Sequence, residues 1–360
     1  MKIIHTGDVH LGSSMLALPT EKAKIRRVEI ADTFRKLTVY AKESGVDAVL
    51  IAGDLFDGEK VSRAVVDETL ATIRAAAPVR FFCVFGNHDG KTELGELPEN
   101  LLLFPNTGRQ TTYVLPERVT LTGIDGDALG GMDYQALQLP EDHYNIFVTH
   151  GEIANHTRRD QDVVCLPLLQ NKNVDYLALG HIHVPTTGVE RLDSRGKYRY
   201  CGCLEGRGFD ECGVRGFFLL EIENGRLKDE KFLSLAKRTV QEVRVDISSC
   251  HTYFELESAA LSAARSAGEE NIIKLVLCGT YQENLRKDLS VLKTRLSDHA
   301  FFVKIEDCSK LRIDYEACKN DVSERGEFIR EVKRYAMDES LREEILEVGL
   351  KALAGEEIDL

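Results

Sequence analysis

Five short segments in the first half of the chain each close a hydrophobic run with metal-seeking residues. They are Asp8-Val9-His10, Gly53-Asp54-Leu55-Phe56-Asp57, Gly86-Asn87-His88-Asp89, Thr149-His150-Gly151 and Gly180-His181-Ile182-His183. The runs before them read as strands; Ala48 to Ala52 is unbroken in apolar character, as a strand covered on both faces should be. Helices lie between. Ile30, Phe34, Leu37 and Ala41 form one apolar stripe, closed by Gly45, and Val65, Leu70, Ile73 and Ala77 form another. Such alternation predicts an α/β layered fold with a largely parallel sheet at its start. Open α/β sheets gather ligands beyond the C-terminal ends of their strands, where all five segments fall.

Asp8 and His10 stand two apart on what reads as an extended segment, so both side chains reach one cation. His181 and His183 repeat the relation. Asp54 follows a buried strand directly, and its two oxygens can bridge two ions. Asn87 and His150 complete the ligands at other strand ends. Carboxylate, amide oxygen and imidazole together suit manganese, iron or zinc better than magnesium alone. Two such ions about 3.5–4 Å apart clamp the oxygens of a phosphate ester and ionise a bridging water, whose hydroxide attacks phosphorus. His88 is the expected general acid for the leaving oxygen, with Asp57 hydrogen-bonded to it. Taken singly, each segment reads as a turn, since Gly and Asn favour turns. Their joint occurrence at strand ends selects the metal reading. Asp89 reads as a turn residue, and His5, His143, His156 and His251 match no motif.

At 360 residues the chain is expected to hold two domains, 1–236 and 237–360. In the first, Val189 to Leu192 and Lys197 to Tyr200 flank an Asp-Ser-Arg-Gly turn and predict a hairpin. In the second, strands are expected at Val240 to Ile247, Ile272 to Cys278 and Phe301 to Ile305. Helices are expected at Phe254 to Ala267, Asn284 to Leu296, Glu324 to Tyr335 and Ser340 to Ala354. No run is long and apolar enough to span a bilayer. The N-terminus enters a strand at once without a leader, which makes a cytoplasmic location the expectation. The nine scattered cysteines contain no Cys-x-x-Cys pair and read as reduced, packed thiols. A net charge of −13 argues against unaided coating of nucleic acid. Basic candidates for phosphate contact are Arg158-Arg159, the hairpin residues Arg191, Arg195, Lys197 and Arg199, and Arg207. The helix carrying Ile25 and Val28 reads equally as a dimer face or as core.

The five segments resemble the motifs of the calcineurin-like metallophosphoesterases over residues 8 to 183. Asp8-Val9-His10-Leu11-Gly12, the Gly53–Asp57 stretch, Cys201–Gly213 and a tail around Leu346–Gly355 resemble, more closely, the SbcD-type DNA repair nucleases. That resemblance implies a phosphoesterase β-sandwich flanked by helices, followed by a small α/β capping domain that helps to position DNA. It implies one ion on Asp8, His10, Asp54 and His183, another on Asp54, Asn87, His150 and His181, and a catalytic His88. It further implies manganese-dependent exonuclease action on duplex ends and endonuclease action on single strands, a homodimer, and an SbcC-type SMC-like ATPase partner. Two departures stand out. Relatives usually read nearer to Pro-Gly-Ser-Pro at Cys201–Leu204, and some place histidine where Asp57 stands. Cys203 is expected to pack rather than to contact metal or substrate.

The metal clamp serves any phosphate ester, so a small-molecule phosphodiesterase or phosphatase is the alternative to a DNA nuclease. A non-catalytic binding subunit predicts missing ligands, and none is missing.

Overall fold

The computed structural model describes residues 1–58, 61–89, 92–104, 109–282, 284–312 and 320–353, and no side chain at 347 or 351. Cys318 and the helix end expected at Ala354 lie outside these residues. The chain divides into two compact units, Met1–Val240 and Gln241–Leu360.

The first unit runs β1 (Lys2–Thr6), α1 (Thr20–Glu43), β2 (Ala48–Ala52), α2 (Arg63–Ala75), β3 (Arg80–Val84), β4 (Leu101–Leu103), β5 (Thr111–Leu115), β6 (Val119–Gly123), a 3-10 turn (Gly126–Gly131), β7 (Tyr144–His150), β8 (Glu152–Ala154), β9 (Val163–Cys165), α3 (Leu166–Leu169), β10 (Tyr176–Gly180), β11 (Glu190–Arg191), β12 (Lys197–Tyr200), β13 (Phe217–Glu223) and β14 (Arg226–Leu233). These strands build two six-stranded sheets, ordered β14-β13-β1-β2-β3-β4 and β11-β12-β10-β7-β6-β5. Pairing is parallel from β1 through β4 and from β6 through β7 and β10 to β12, with antiparallel edges. The residue pattern predicts the strands but not their division between two sheets; the sandwich came with the resemblance.

The division follows from side-chain alternation. Ala48, Leu50 and Ala52 of β2, Phe82 and Val84 of β3, Ile146 and Val148 of β7, and Tyr176 and Ala178 of β10 share one buried cluster between the sheets. Residues of opposite parity are buried too. Phe147, Leu177 and Leu179 pack with Leu129, Met132, Val164 and Leu169 on the outer face of the second sheet. Both faces are covered, which explains the unbroken apolar runs. α1 buries Ile30, Phe34, Leu37 and Ala41 as its stripe requires, and Tyr40 packs 5.7 Å from Phe217 of β13. Ile25 and Val28 face solvent, while Arg26 between them is fully buried.

The second unit has β15 (Val240–Asp246), α4 (Tyr253–Ala267), β16 (Ile272–Cys278), β17 (Thr280–Tyr281), α5 (Leu289–Leu296), β18 (Phe302–Asp307), β19 (Lys310–Leu311), α6 (Glu324–Arg334) and α7 (Glu339–Leu353). Thr252 and Glu255 cap α4 reciprocally. α5 starts later than expected because the Asp288 carboxylate accepts the Val291 N–H at 2.9 Å and fixes the helix start there.

Candidate metal centre

The five motif segments leave the C-terminal ends of β1, β2, β3, β7 and β10, so the site straddles matching ends of both sheets. Backbone bonds join the first two segments: Asp8 N–H to Gly53 O (3.0 Å), His10 N–H to Asp54 O (2.9 Å) and Leu11 N–H to Leu55 O (2.9 Å). The buried Asp89 carboxylate joins the second to the third, accepting N–H bonds from Phe56 (2.9 Å), Leu55 (3.2 Å) and Gly86 (3.2 Å). Asp89 is thus a turn residue, as expected, and also the clasp between two ligand loops.

The segments are not extended. Asp8 (φ 47°), His10 (φ 50°), Asp54 (φ 51°) and His181 (φ 91°) all have left-handed backbones, each costing about 1–3 kcal/mol unless its surroundings impose it. Asp8 and His10 therefore converge through tight turning, not through strand periodicity. Two glycines permit the crowding. A Cβ on Gly53 would lie 2.4 Å from His150 Nδ1, and one on Gly86 would lie 2.2 Å from Asp54 Oδ1.

Seven expected ligands meet here. Asp54 Oδ2 lies 3.6 Å from His10 Nε2 and 3.5 Å from His150 Nε2, between two separate imidazoles. Its Oδ1 accepts the His88 N–H at 2.9 Å. On one side, His10 Nε2 faces His183 Nε2 at 3.2 Å, and ligand atoms of Asp8 join them within 4.8 Å. On the other, His150 Nε2 lies 2.9 Å from Asn87 Oδ1 and 3.3 Å from His181 Nδ1. Asp8 also accepts the His181 N–H at 2.9 Å.

The outer nitrogens fix the tautomers. Carboxylates and carbonyls only accept, so the Nδ1 atoms of His10, His183 and His150 donate to Asp57 (3.1 Å), Glu211 (2.7 Å) and the Ala52 carbonyl (3.0 Å). In the neutral rings every Nε2 then keeps a lone pair turned inward. Facing lone pairs at 3.2 Å repel unless a positive charge lies beside them. Burial pushes the Asp8 carboxyl up to about 8 against the pull of His183 and the His181 N–H. Burial likewise lowers His150 to about 4. Burial opposes the His183 imidazolium, yet Glu211 and Asp8 hold its pKa above the usual value. A pocket of buried carboxylates and inward lone pairs fits divalent cations, and its ligands carry the supporting hydrogen bonds that metal sites use.

His88 stands at the rim, its side chain 44% exposed, with Nδ1 3.2 Å from Asp57 Oδ1. The bond from His10 keeps the Asp57 carboxyl well below the ordinary range, against its partial burial. Arg207 also reaches the site, with Nη2 2.8 Å from Glu211 Oε1. Of the other basic candidates, Arg159 donates to the Met132 carbonyl at 3.2 Å, and three of the hairpin residues are committed to carboxylates. Arg199 is buried and is spent on Glu230 (3.0 Å), and Lys197 pairs with the same carboxylate at 2.5 Å. Arg195 forms a two-bond pair with Asp175 at 2.8 and 2.9 Å. The expected hairpin forms, but Glu230 and Asp175, distant in sequence, neutralise its cations; Arg191 stays exposed. Cys201 and Cys203 are buried thiols, as expected, Cys203 Sγ 3.7 Å from Glu211 Oε2. Glu211 was missed as a site residue. It lies in the Cys201–Gly213 stretch that carries the resemblance, but nothing in its spacing points to His183.

Among curated proteins, the chain is 26% identical to the DNA double-strand break repair protein Mre11 of Haloferax volcanii, over 98% of its own length and 75% of that protein's. It is 25% identical to the protein of the same name from Halobacterium salinarum, over 94% and 90%. To the SbcD component of the nuclease SbcCD of Staphylococcus epidermidis it is 22% identical, over 73% and 80%. Residues 1–185, just over half of the chain and the part that carries every candidate ligand described above, match the calcineurin-like phosphoesterase family, and the chain belongs to it.

Proposed function

We propose that this protein is a metal-dependent DNA repair nuclease whose centre holds two divalent ions, with manganese as the working metal. The observation that carries the reading is Asp54 Oδ2 between His10 Nε2 and His150 Nε2, at 3.6 and 3.5 Å, a bridging position between two ligand sets. Asp8, His10, Asp54 and His183 would hold one ion; Asp54, Asn87, His150 and His181 would hold the other. Bound there, the ions supply Lewis-acid charge for the phosphate oxygens and a low-pKa water as nucleophile.

The chain's own residues do the rest. The inward Nε2 atoms and buried carboxylates would hold the ions in place, and so set where a phosphodiester can dock. His88, open at the rim and facing Asp57, donates a proton to the leaving oxygen. Asp57, 3.2 Å from its Nδ1, orients the ring for this transfer. The names of the relatives support DNA as substrate and a second subunit as partner, which the family resemblance makes an SMC-like ATPase of the SbcC type. A homodimer, a capping role for the second unit and a cytoplasmic location belong to the same reading. Among the described residues, no helix is long and apolar enough to cross a membrane.

The test is a manganese-supplemented digest of end-labelled duplex and closed circular single-stranded DNA by wild type, Asp54→Ala and His88→Ala. Wild type is expected to cut both and the variants to be severely slowed. Rapid hydrolysis of a chromogenic phosphodiester with neither DNA cut would replace DNA by a small phosphate ester as substrate.

A further inference from the structure

His10 and His183, whose Nε2 atoms face each other at 3.2 Å, are each held from behind by a carboxylate. Asp57 Oδ1 takes the Nδ1–H of His10 at 3.1 Å, and Glu211 Oε1 takes that of His183 at 2.7 Å. One side chain joins the two carboxylates. Arg207 donates to Glu211 Oε1 from Nη2 (2.8 Å) and Nε (3.2 Å), and its Nη1 lies 3.6 Å from Asp57 Oδ1. The Arg207 backbone N–H is itself bonded to Glu211 Oε2 at 2.6 Å. Arg207 Nη2 also lies 3.2 Å from His183 Nδ1, but two donors cannot bond each other, and both converge on Glu211. The other imidazole pair is supported differently. His150 Nδ1 rests on the Ala52 carbonyl, and among the described residues no carboxylate is bonded to the ring of His181.

We propose that Arg207 is a positioning residue of the metal centre, a strut between Asp57 and Glu211 that locks His10 and His183 for one of the two ions and not for the other. The inference rests on the two-ion reading above. An acceptor behind a ligand imidazole fixes its tautomer and aims its lone pair. The planar guanidinium presents donors to two carboxylates at once, which a single ammonium does not reproduce in that geometry. Arg207 is only 16% exposed in its side chain, and the donors described above are committed to carboxylates, so its role differs from that of a phosphate-binding surface arginine.

The experiment titrates the metal-free full chain with Mn2+ by calorimetry, for wild type, Arg207→Ala, Arg207→Lys and Glu211→Gln, with KM and kcat on linear duplex DNA measured alongside. Wild type is expected to bind two ions. Each variant should weaken one of them by roughly 10–100-fold and leave the other unchanged. The fall in kcat should be recovered with excess Mn2+, at an unaltered KM for DNA. Arg207→Lys and Glu211→Gln keep the test decisive if Arg207→Ala does not fold, which melting curves report. Two unaltered Mn2+ affinities with a raised KM would overturn the strut and make Arg207 a DNA contact. Equal weakening of both ions would overturn its selectivity. A wild type that binds no Mn2+ would refute the two-ion reading itself, and the strut with it.

Discussion

His88 Nδ1 lies 3.2 Å from Asp57 Oδ1, the same oxygen that takes the Nδ1–H of the buried His10 at 3.1 Å. One carboxylate oxygen thus serves the rim imidazole and a ligand imidazole together. Asp57→Asn keeps an acceptor of similar shape but removes the charge. Turnover and Mn2+ affinity are therefore expected to fall together, the affinity by roughly 10–100-fold. Calorimetry and initial rates on one preparation separate the two effects. Slow turnover with unaltered Mn2+ binding would confine Asp57 to His88.

The exposure of His88 bears on its proton. A side chain 44% open can meet a departing oxygen, whereas His10, 1% exposed, cannot. His88→Ala is expected to slow esters with poor leaving groups, DNA included, by roughly 10²–10⁴-fold. A nitrophenyl ester, whose leaving group needs no proton, should be little affected. Equal damage to both substrates would remove the general-acid role.

Buried carboxylates give the metal-free protein a defined pH response. Burial pushes Asp8 up to about 8, and burial together with the charge of Asp54 pushes Asp89 up to about 7. A carboxyl whose folded pKa is raised holds its proton where the unfolded chain has lost it, so stability falls as pH rises from about 4 to the folded value. His150, lowered to about 4 by burial, works in the opposite sense, but only up to its ordinary value of 6.5. Between about pH 6.5 and 8 the raised carboxyls are joined by His183, whose pKa Glu211 and Asp8 hold above the usual value, and all of them lose stability as pH rises. The melting temperature of the chelator-treated protein should therefore decline across that window, and saturating Mn2+ should abolish the decline. A flat metal-free profile would contradict the burial cost assigned to Asp8.

The candidate ligands stand out in the sequence because each combines a chemically specific side chain with a place at the end of a recognisable strand. Asp54 after Ala48–Ala52 and His150 within Tyr144–His150 need only local pattern. The supports could not be read in this way. Glu211 meets His183 from a loop with no periodicity, and Asp89 looks like any turn aspartate until its three N–H partners are seen. Charge patterning misled for a related reason. Lys197 and Arg199 look like a basic hairpin because β12 is read alone, whereas β14 brings Glu230 against both. Even the convergence of Asp8 and His10 arises from left-handed turns and not from the extended segment that the spacing suggested.

Arg26 is a fully buried cation on α1, and its partners make it a test of how the loop bearing Arg207 is held. It bonds the buried Glu205 carboxylate, the Gly206 carbonyl at 2.8 Å and Glu29 at 2.7 Å, while Thr33 Oγ1 donates to Glu205 at 2.7 Å. Removing the cation leaves the buried Glu205 side chain without its charged partner, a loss of roughly 3–5 kcal/mol. Arg26→Met is therefore expected to lower the denaturant midpoint sharply. Arg26→Met combined with Glu205→Leu should recover much of the loss, because apolar replacement of a whole buried pair is often neutral. Both variants can be measured by urea unfolding of the metal-free chain, which separates folding from metal affinity. A single-variant loss of only ~0–1 kcal/mol, the scale of an exposed ion pair, would mean that Arg26 does not hold the loop.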